Sequence, residues 1–207
     1  MNHNLNLIFP TPVFSSNIFE VLDNAQEVFD KTFLAMQEET LSNESIVPQS
    51  ENSRLHREEK YYEITQYFNI ILEEIKNTNN YDTEKFEISQ MWINKSPNGI
   101  SHPVHYHPNS YFSGVMYFSE GSEIQFKDPV HSRLNSQLIV GNSLDSHNFA
   151  TTPQKGLLLI FPSWLYHGTG INHTKSRWSM SFNCLPQGKT NYSIDSLRYS
   201  KIDLTIN

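Results

Sequence analysis

The sequence predicts a mainly β protein, a sandwich or jelly roll, with two helices ahead of the sheet. From Phe86 onward, strand-like segments follow one another with turn residues between them: FEISQMWIN, SHPVHYHPNSYFSGVMYF, SEIQFKD, GLLLIFP and RWSMSFNCL. Aromatic residues make up 13% of the chain and charged residues only 18%, which suits a β-rich globular protein better than a coiled coil or a disordered chain. At 207 residues the chain can bury a sizeable core, and a single domain over 1–207 is expected.

Taken in order, LNLIFPTPVF at residues 5–14 is apolar but cut by Pro10 and Pro12, so it reads as an extended edge segment. From Phe19 to Glu39 the residues Val21, Leu22, Ala25, Val28, Phe29, Phe33 and Met36 recur at helical spacing, with Asn17 as candidate cap. Residues 40–58 are polar and contain Pro48, which predicts a surface loop. A second helix follows from Tyr61 to Lys76 and is stopped by NTNNYD. Within the β part, the polar region 131–150 is long for a hairpin connection, and long loops in compact domains are often functional covers, though its sequence assigns it no conformation. The tail after Pro186 reads as an irregular extension or a small strand.

Charge and cysteine usage narrow the partners. The net charge of −7 and the lack of a Lys/Arg run disfavour nucleic acid. A single cysteine, Cys184, excludes an intrachain disulfide or a cysteine-based zinc cluster and agrees with a reducing cytoplasm. No apolar run is long enough to span a bilayer, and the first residues lack the features of a signal peptide. A cytoplasmic protein acting on a small-molecule or peptide substrate is expected.

His105 and His107 are one residue apart, so on a strand both imidazoles share a face, and His102 points to the other. Pro103 and Pro108 keep that strand short and at a rim. An H-x-H alone also suits ordinary hydrogen-bonded histidines. His167 is a distant candidate third ligand, after the strand GLLLIFP and before Gly168 and Gly170, where the backbone can turn. In RWSMSFN, Arg177, Ser179, Ser181 and Asn183 share one face, while Trp178, Met180, Phe182 and Cys184 share the other. The polar face looks either to solvent, as in an ordinary half-buried sheet, or into a barrel. In the second case Arg177 would pair with a small carboxylate, Ser179 would donate to the same group, and a metal would hold its other end. Iron fits such an open histidine site better than structural zinc.

The segments MWINKSPNGISHPVHYHPNSYFSGVMYF, IQFKDP and PQKGLLLIFPSWLYHGTGINHTKSRWSMSFN together resemble the Fe(II)/2-oxoglutarate-dependent oxygenases. The likeness is closest to an oxygenase family related to the prolyl hydroxylases, and FPTPVF resembles that family's start. HPNSYFSGVMYF and FPSWLYH are its most specific parts. The resemblance implies a double-stranded β-helix with Fe(II) at its mouth, 2-oxoglutarate inside, and oxidative decarboxylation of that cosubstrate coupled to hydroxylation of a substrate. It implies that His105 and His167 are metal ligands and that Arg177 with Ser179 grips the far carboxylate. Most of the superfamily has a carboxylate where this chain has His107, so His107 is the expected third ligand in its place, with Asp128 or Glu123 as alternatives. Tyr117 and Asn183 are expected inward partners of cosubstrate or substrate. Two other readings remain beside this one: a cupin-type metal enzyme that does not use 2-oxoglutarate, and a non-catalytic jelly-roll protein.

Overall fold

The computed structural model describes residues 10–42, 44–127 and 148–188. Strand β1 (Phe14–Asn17) leads into one helical turn, α1 (Ile18–Val21), and then α2 (Ala25–Gln37). Asn17 caps the first turn, its side chain accepting from the Phe19 amide. The single helix expected over 19–39 is nevertheless two. Leu22 leaves α1 in an extended conformation, and the short polar side chains of Asp23 and Asn24 favour helix ends over helix interiors. Val21, read as part of the apolar face, is exposed as a result. Helix α3 (Tyr62–Thr78) follows its sequence pattern, burying Ile64, Tyr67, Phe68, Ile71, Leu72 and Ile75 on one face. It ends at Asn79, after which Asn80 turns the chain at φ +54°.

The remaining strands are β2 (Leu41–Ser42), β3 (Gln49–Ser50), β4 (Lys85–Pro97), β5 (Phe112–Tyr117), β6 (Ile124–Lys127), β7 (Asn148–Thr151), β8 (Leu157–Pro162), β9 (His167–Thr169) and β10 (Ser176–Gln187). They form a seven-stranded sheet in the order β1-β8-β5-β10-β4-β3-β2 and a three-stranded sheet in the order β7-β6-β9. All the named strand pairs are antiparallel. The result is a double-stranded β-helix, or jelly roll, with the helices against the outer face of the large sheet. No described helix is long and apolar enough to cross a membrane.

Residues 40–58 are more than a loop. The outer edge of β4 carries amides that need acceptors, and this segment supplies them: Met91 N donates to Ser53 O, Ile93 N to Ser50 Oγ and Lys95 N to Pro48 O. The interrupted apolar pattern hid the two short strands. Of the long region 131–150, only the strand β7 lies within the described residues, so its expected role as a cover lies outside them, as do residues 5–9 and the tail beyond 188.

Strand β10 divides the interior. Its even-numbered residues Met180, Phe182 and Cys184 join Met91, Ile93, Phe112, Met116, Leu158 and Ile160 in a core shared with the helices, where Phe68 meets Phe182 with ring centroids 4.8 Å apart. Its odd-numbered residues point between the two sheets, toward a second core of Val115, Tyr117, Leu159 and Phe161 from the large sheet and Ile124 and Phe126 from the small one. The polar face of RWSMSFN therefore looks into the barrel. Gly114 makes the helix-side core possible, since a Cβ there would meet Phe182 Cζ at 2.3 Å. Gly114→Ala is expected to cost about 1–3 kcal/mol by overpacking, and Phe182→Leu in the same chain should recover part of it, as read by denaturant unfolding of the three variants.

Candidate metal and carboxylate site

His105 and His167 come from segments that are laced together by backbone. His105 N donates to His167 O and His167 N to His105 O, both at 2.8 Å, so the two residues form a directly opposed pair. His107 N donates to Ser163 O at 2.9 Å and continues the same pairing. The HYH segment is thus held by one bridge at His105 and one hydrogen bond from His107 and is not a strand of its own, because Pro103 and Pro108 lack donors. Gly168 lies inside β9 and does not turn the chain as its sequence position suggested. It allows close approach instead: a Cβ there would lie 2.9 Å from His102 O.

The ring nitrogens show what the histidines can do. His105 Nδ1 lies 2.9 Å from Pro103 O and His167 Nδ1 lies 2.8 Å from Leu165 O. A carbonyl oxygen only accepts, so both Nδ1 atoms carry the proton and both Nε2 atoms present a lone pair. His107 Nδ1 lies 2.6 Å from Asn183 Oδ1, and its Nε2 is 3.1 Å from that of His105. One ligand atom from each of the three residues lies within 4.8 Å of the others. Burial lowers the pKa of His107 and pushes that of His167 down to about 3, so both are neutral imidazoles near pH 7. Converging lone pairs are mutually repulsive unless a cation sits among them, and this donor set suits Fe(II).

Arg177 stands on the same inner wall and is 6% exposed. Its Nη1 donates to Ser122 Oγ at 3.3 Å and its guanidinium lies 5.2 Å over the Tyr117 ring. No carboxylate pairs with it among the described residues. Arg177 Nε, the Tyr117 hydroxyl and Ser96 Oγ are all buried without a hydrogen-bond partner among those residues. Burial pushes Tyr117 up to about 12, so its hydroxyl keeps its proton and can donate. Ser179, beside Tyr117 in the ladder, is also buried. A buried guanidinium among unused donors suits one end of a dicarboxylate. The arginine and the histidines line one cavity of about 440 Å³, a volume ordinary for a small-molecule site.

Some residues fall elsewhere than expected. His102 was placed on the opposite face from His105, yet their ring centroids are 4.4 Å apart and both line the cavity. Strand parity does not apply there because 101–104 is not a strand. Burial pushes its pKa down to about 4. Glu123 accepts from Gln125 Nε2 at 2.8 Å and is not part of the histidine cluster, and Asp128 lies outside the described residues. Asn183, expected to meet cosubstrate or substrate, has both ends of its amide engaged by protein, accepting from His107 and Ser113 and donating to Gln90.

Sequence reasoning missed Ser96, with Trp92 and Asn94 on the same face of β4, opposite Arg177, Ser179 and Ser181 of β10. The parity of WINKS could have found them. A bulge obscures it, because the register with β10 shifts between Asn183 and Cys184 and the buried positions change from Phe86 and Ile88 to Met91 and Ile93.

The chain is similar to a prolyl-4-hydroxylase from Pseudomonas putida, at 14% identity and a TM-score of 0.58, over 86% of this chain and 94% of that one. It is similar to the non-haem α-ketoglutarate-dependent epimerase SnoN of nogalamycin biosynthesis, at 10% identity and a TM-score of 0.63, over 85% and 78%. HygX from Streptomyces hygroscopicus, solved with nickel, 2-oxoglutarate and hygromycin B, matches at 11% identity and a TM-score of 0.56, over 88% and 86%. Among curated proteins no sequence matches. These structures show that the chain shares the jelly-roll fold of those enzymes. The chain matches, over residues 90–183, which include His102, His105, His107, His167 and Arg177, the family described as "Putative 2OG-Fe(II) oxygenase". It is an oxidoreductase of the dioxygenase type, with Fe(II) and 2-oxoglutarate as its cofactors.

Proposed function

We propose that the protein is a 2-oxoglutarate-dependent hydroxylase in which His105, His107 and His167 hold Fe(II) and Arg177 holds the far carboxylate of 2-oxoglutarate. The observation that carries this reading is the buried Arg177 without an anionic partner among the described residues, in the cavity that also receives the three histidines. Fe(II) and 2-oxoglutarate bound there supply O2 activation coupled to decarboxylation to succinate, and so the oxidising power for a substrate C–H bond.

The chain's own residues do the positioning. Arg177 would offer a planar fork to the distal carboxylate, and its neighbours Ser179, Ser96 and the Tyr117 hydroxyl would donate to the same group. A ligand set of histidines without a carboxylate leaves the charge of the metal to be met by the dianionic cosubstrate. Val115, Phe126 and Phe161 form an apolar wall between the sheets, and Phe126 and Phe161 pack on the His167 ring, where they would keep water from the histidine end. A cupin-type metal enzyme has no use for the buried guanidinium, which is why the oxygenase reading is preferred to it.

The remaining expectations belong to the same proposal: one domain over 1–207, a cytoplasmic location consistent with the free, buried Cys184, and a small-molecule or peptide substrate rather than nucleic acid. The test is succinate formation from 2-oxoglutarate in the presence of Fe(II) and O2. Wild type is expected to release succinate even without added substrate, at the slow rate of uncoupled turnover, and His105→Ala to release none. Equal release by the two proteins would refute the assignment of the histidines.

A further inference from the structure

We propose that Asn183 is the positioning residue that makes His107 a metal ligand, by holding the proton of His107 on Nδ1 and so turning the Nε2 lone pair into the cluster. This rests on the reading of His107 as an iron ligand given above.

The three histidines are oriented by different kinds of acceptor. His105 and His167 donate to the backbone carbonyls of Pro103 and Leu165, and the direction of those bonds is fixed by the main chain. His107 alone depends on a side chain, Asn183 Oδ1 at 2.6 Å. An amide can present either end, so something must set which one faces the ring. Two neighbours orient it. Asn183 Nδ2 donates to Gln90 Oε1 at 3.0 Å, and Ser113 Oγ donates to Asn183 Oδ1 at 2.8 Å. Ser113 is itself held by Ser163 Oγ at 2.8 Å, and the Ser163 carbonyl accepts from His107 N. The relay therefore closes on the residue that it orients. Asn183, Ser113 and Ser163 are all buried, so water does not compete for these bonds.

The opposite amide orientation would put Nδ2 against His107 Nδ1 and move the ring proton to Nε2. That proton would point at His105 Nε2, only 3.1 Å away, and block the place of the metal. A carboxylate needs no tautomer control; an imidazole does, and the relay supplies it.

The probe is Co(II), titrated into metal-free wild type and the variants Asn183→Leu, Asn183→Asp and His107→Ala, with the visible cobalt spectrum and the thermal midpoint followed together. An aspartate can only accept, so Asn183→Asp commits the Nδ1 proton and is expected to bind within a few-fold of wild type or more tightly. Asn183→Leu is expected to weaken binding roughly 10–100-fold, the range typical when the hydrogen-bond partner of a metal-bound histidine is removed. Wild-type affinity in Asn183→Leu, or equal weakening in the Leu and Asp variants, would overturn the proposal. His107→Ala separates the two readings. If it binds cobalt as wild type does, the assignment of position 107 has failed and the relay with it; if it is weakened while Asn183→Leu is not, the relay alone has failed. Should Asn183→Leu not fold, the tautomer of His107 in metal-free wild type decides, from long-range proton–nitrogen correlation spectra: the Nδ1–H form is expected, and the Nε2–H form contradicts the proposal.

Discussion

Arg177→Ala is expected to weaken 2-oxoglutarate binding by about two to three orders of magnitude, the scale of losing one partner of a buried, hydrogen-bonded charge pair. The stability of the metal-free, cosubstrate-free protein should move in the other direction or not at all. In that state the guanidinium is buried against Ser122 and Tyr117 with no anionic partner among the described residues, so its removal is expected to relieve a buried charge. An arginine kept for the fold would behave oppositely, and its loss would lower the thermal midpoint. Arg177→Lys keeps the charge but not the planar fork, and an intermediate affinity is expected. Cosubstrate titrations of the Fe(II)-loaded proteins and thermal melts of the metal-free ones measure the two effects separately. Fe(II) affinity without cosubstrate should be unchanged in both variants, because Arg177 is not part of the histidine cluster.

His167→Ala should remove Fe(II) binding almost entirely, a larger effect than the roughly 10–100-fold attached to groups that only support a ligand. His167 begins β9 of the small sheet, pairs with Phe126, and bridges to His105. Its ring packs against Phe161 with centroids 4.7 Å apart, so truncation also leaves a small cavity, and the midpoint of the metal-free protein must be followed as a control. His102→Ala provides the contrast. That imidazole lines the same cavity beside His105 but is not one of the three clustered ligands, and Fe(II) affinity should survive its removal. Competition against a colorimetric Fe(II) chelator under anaerobic conditions compares the three proteins.

What the sequence revealed and what it hid have physical causes. The alternation in RWSMSFN left two orientations open, and the structure takes the one with its polar face inward, so that Arg177, Ser179, Ser181 and Asn183 line the cavity. That face is polar because the barrel holds a polar site rather than because it meets water. Helix α3 was legible because its apolar face repeats without interruption, whereas the break between α1 and α2 depended on two short polar residues inside an otherwise helical pattern. The edge strands in 40–58 were invisible because their hydrogen bonds answer the needs of β4 and not a pattern of their own. Around the site, same-face spacing brings His105 and His107 together, though one bridge and one hydrogen bond hold them and not a strand; the same rule misplaces His102 because prolines interrupt the segment. The relay behind His107 was out of reach, since Asn183, Ser113 and Ser163 meet only when three separate segments are brought together.

The most direct test of the account is optical. Under anaerobic conditions, wild type given Fe(II) and then 2-oxoglutarate should develop the charge-transfer absorption of the iron chelate, and Arg177→Ala at the same cosubstrate concentration should not. The absence of that absorption from wild type at saturating 2-oxoglutarate would contradict the claim that the histidines and the buried arginine together form one Fe(II)/2-oxoglutarate site.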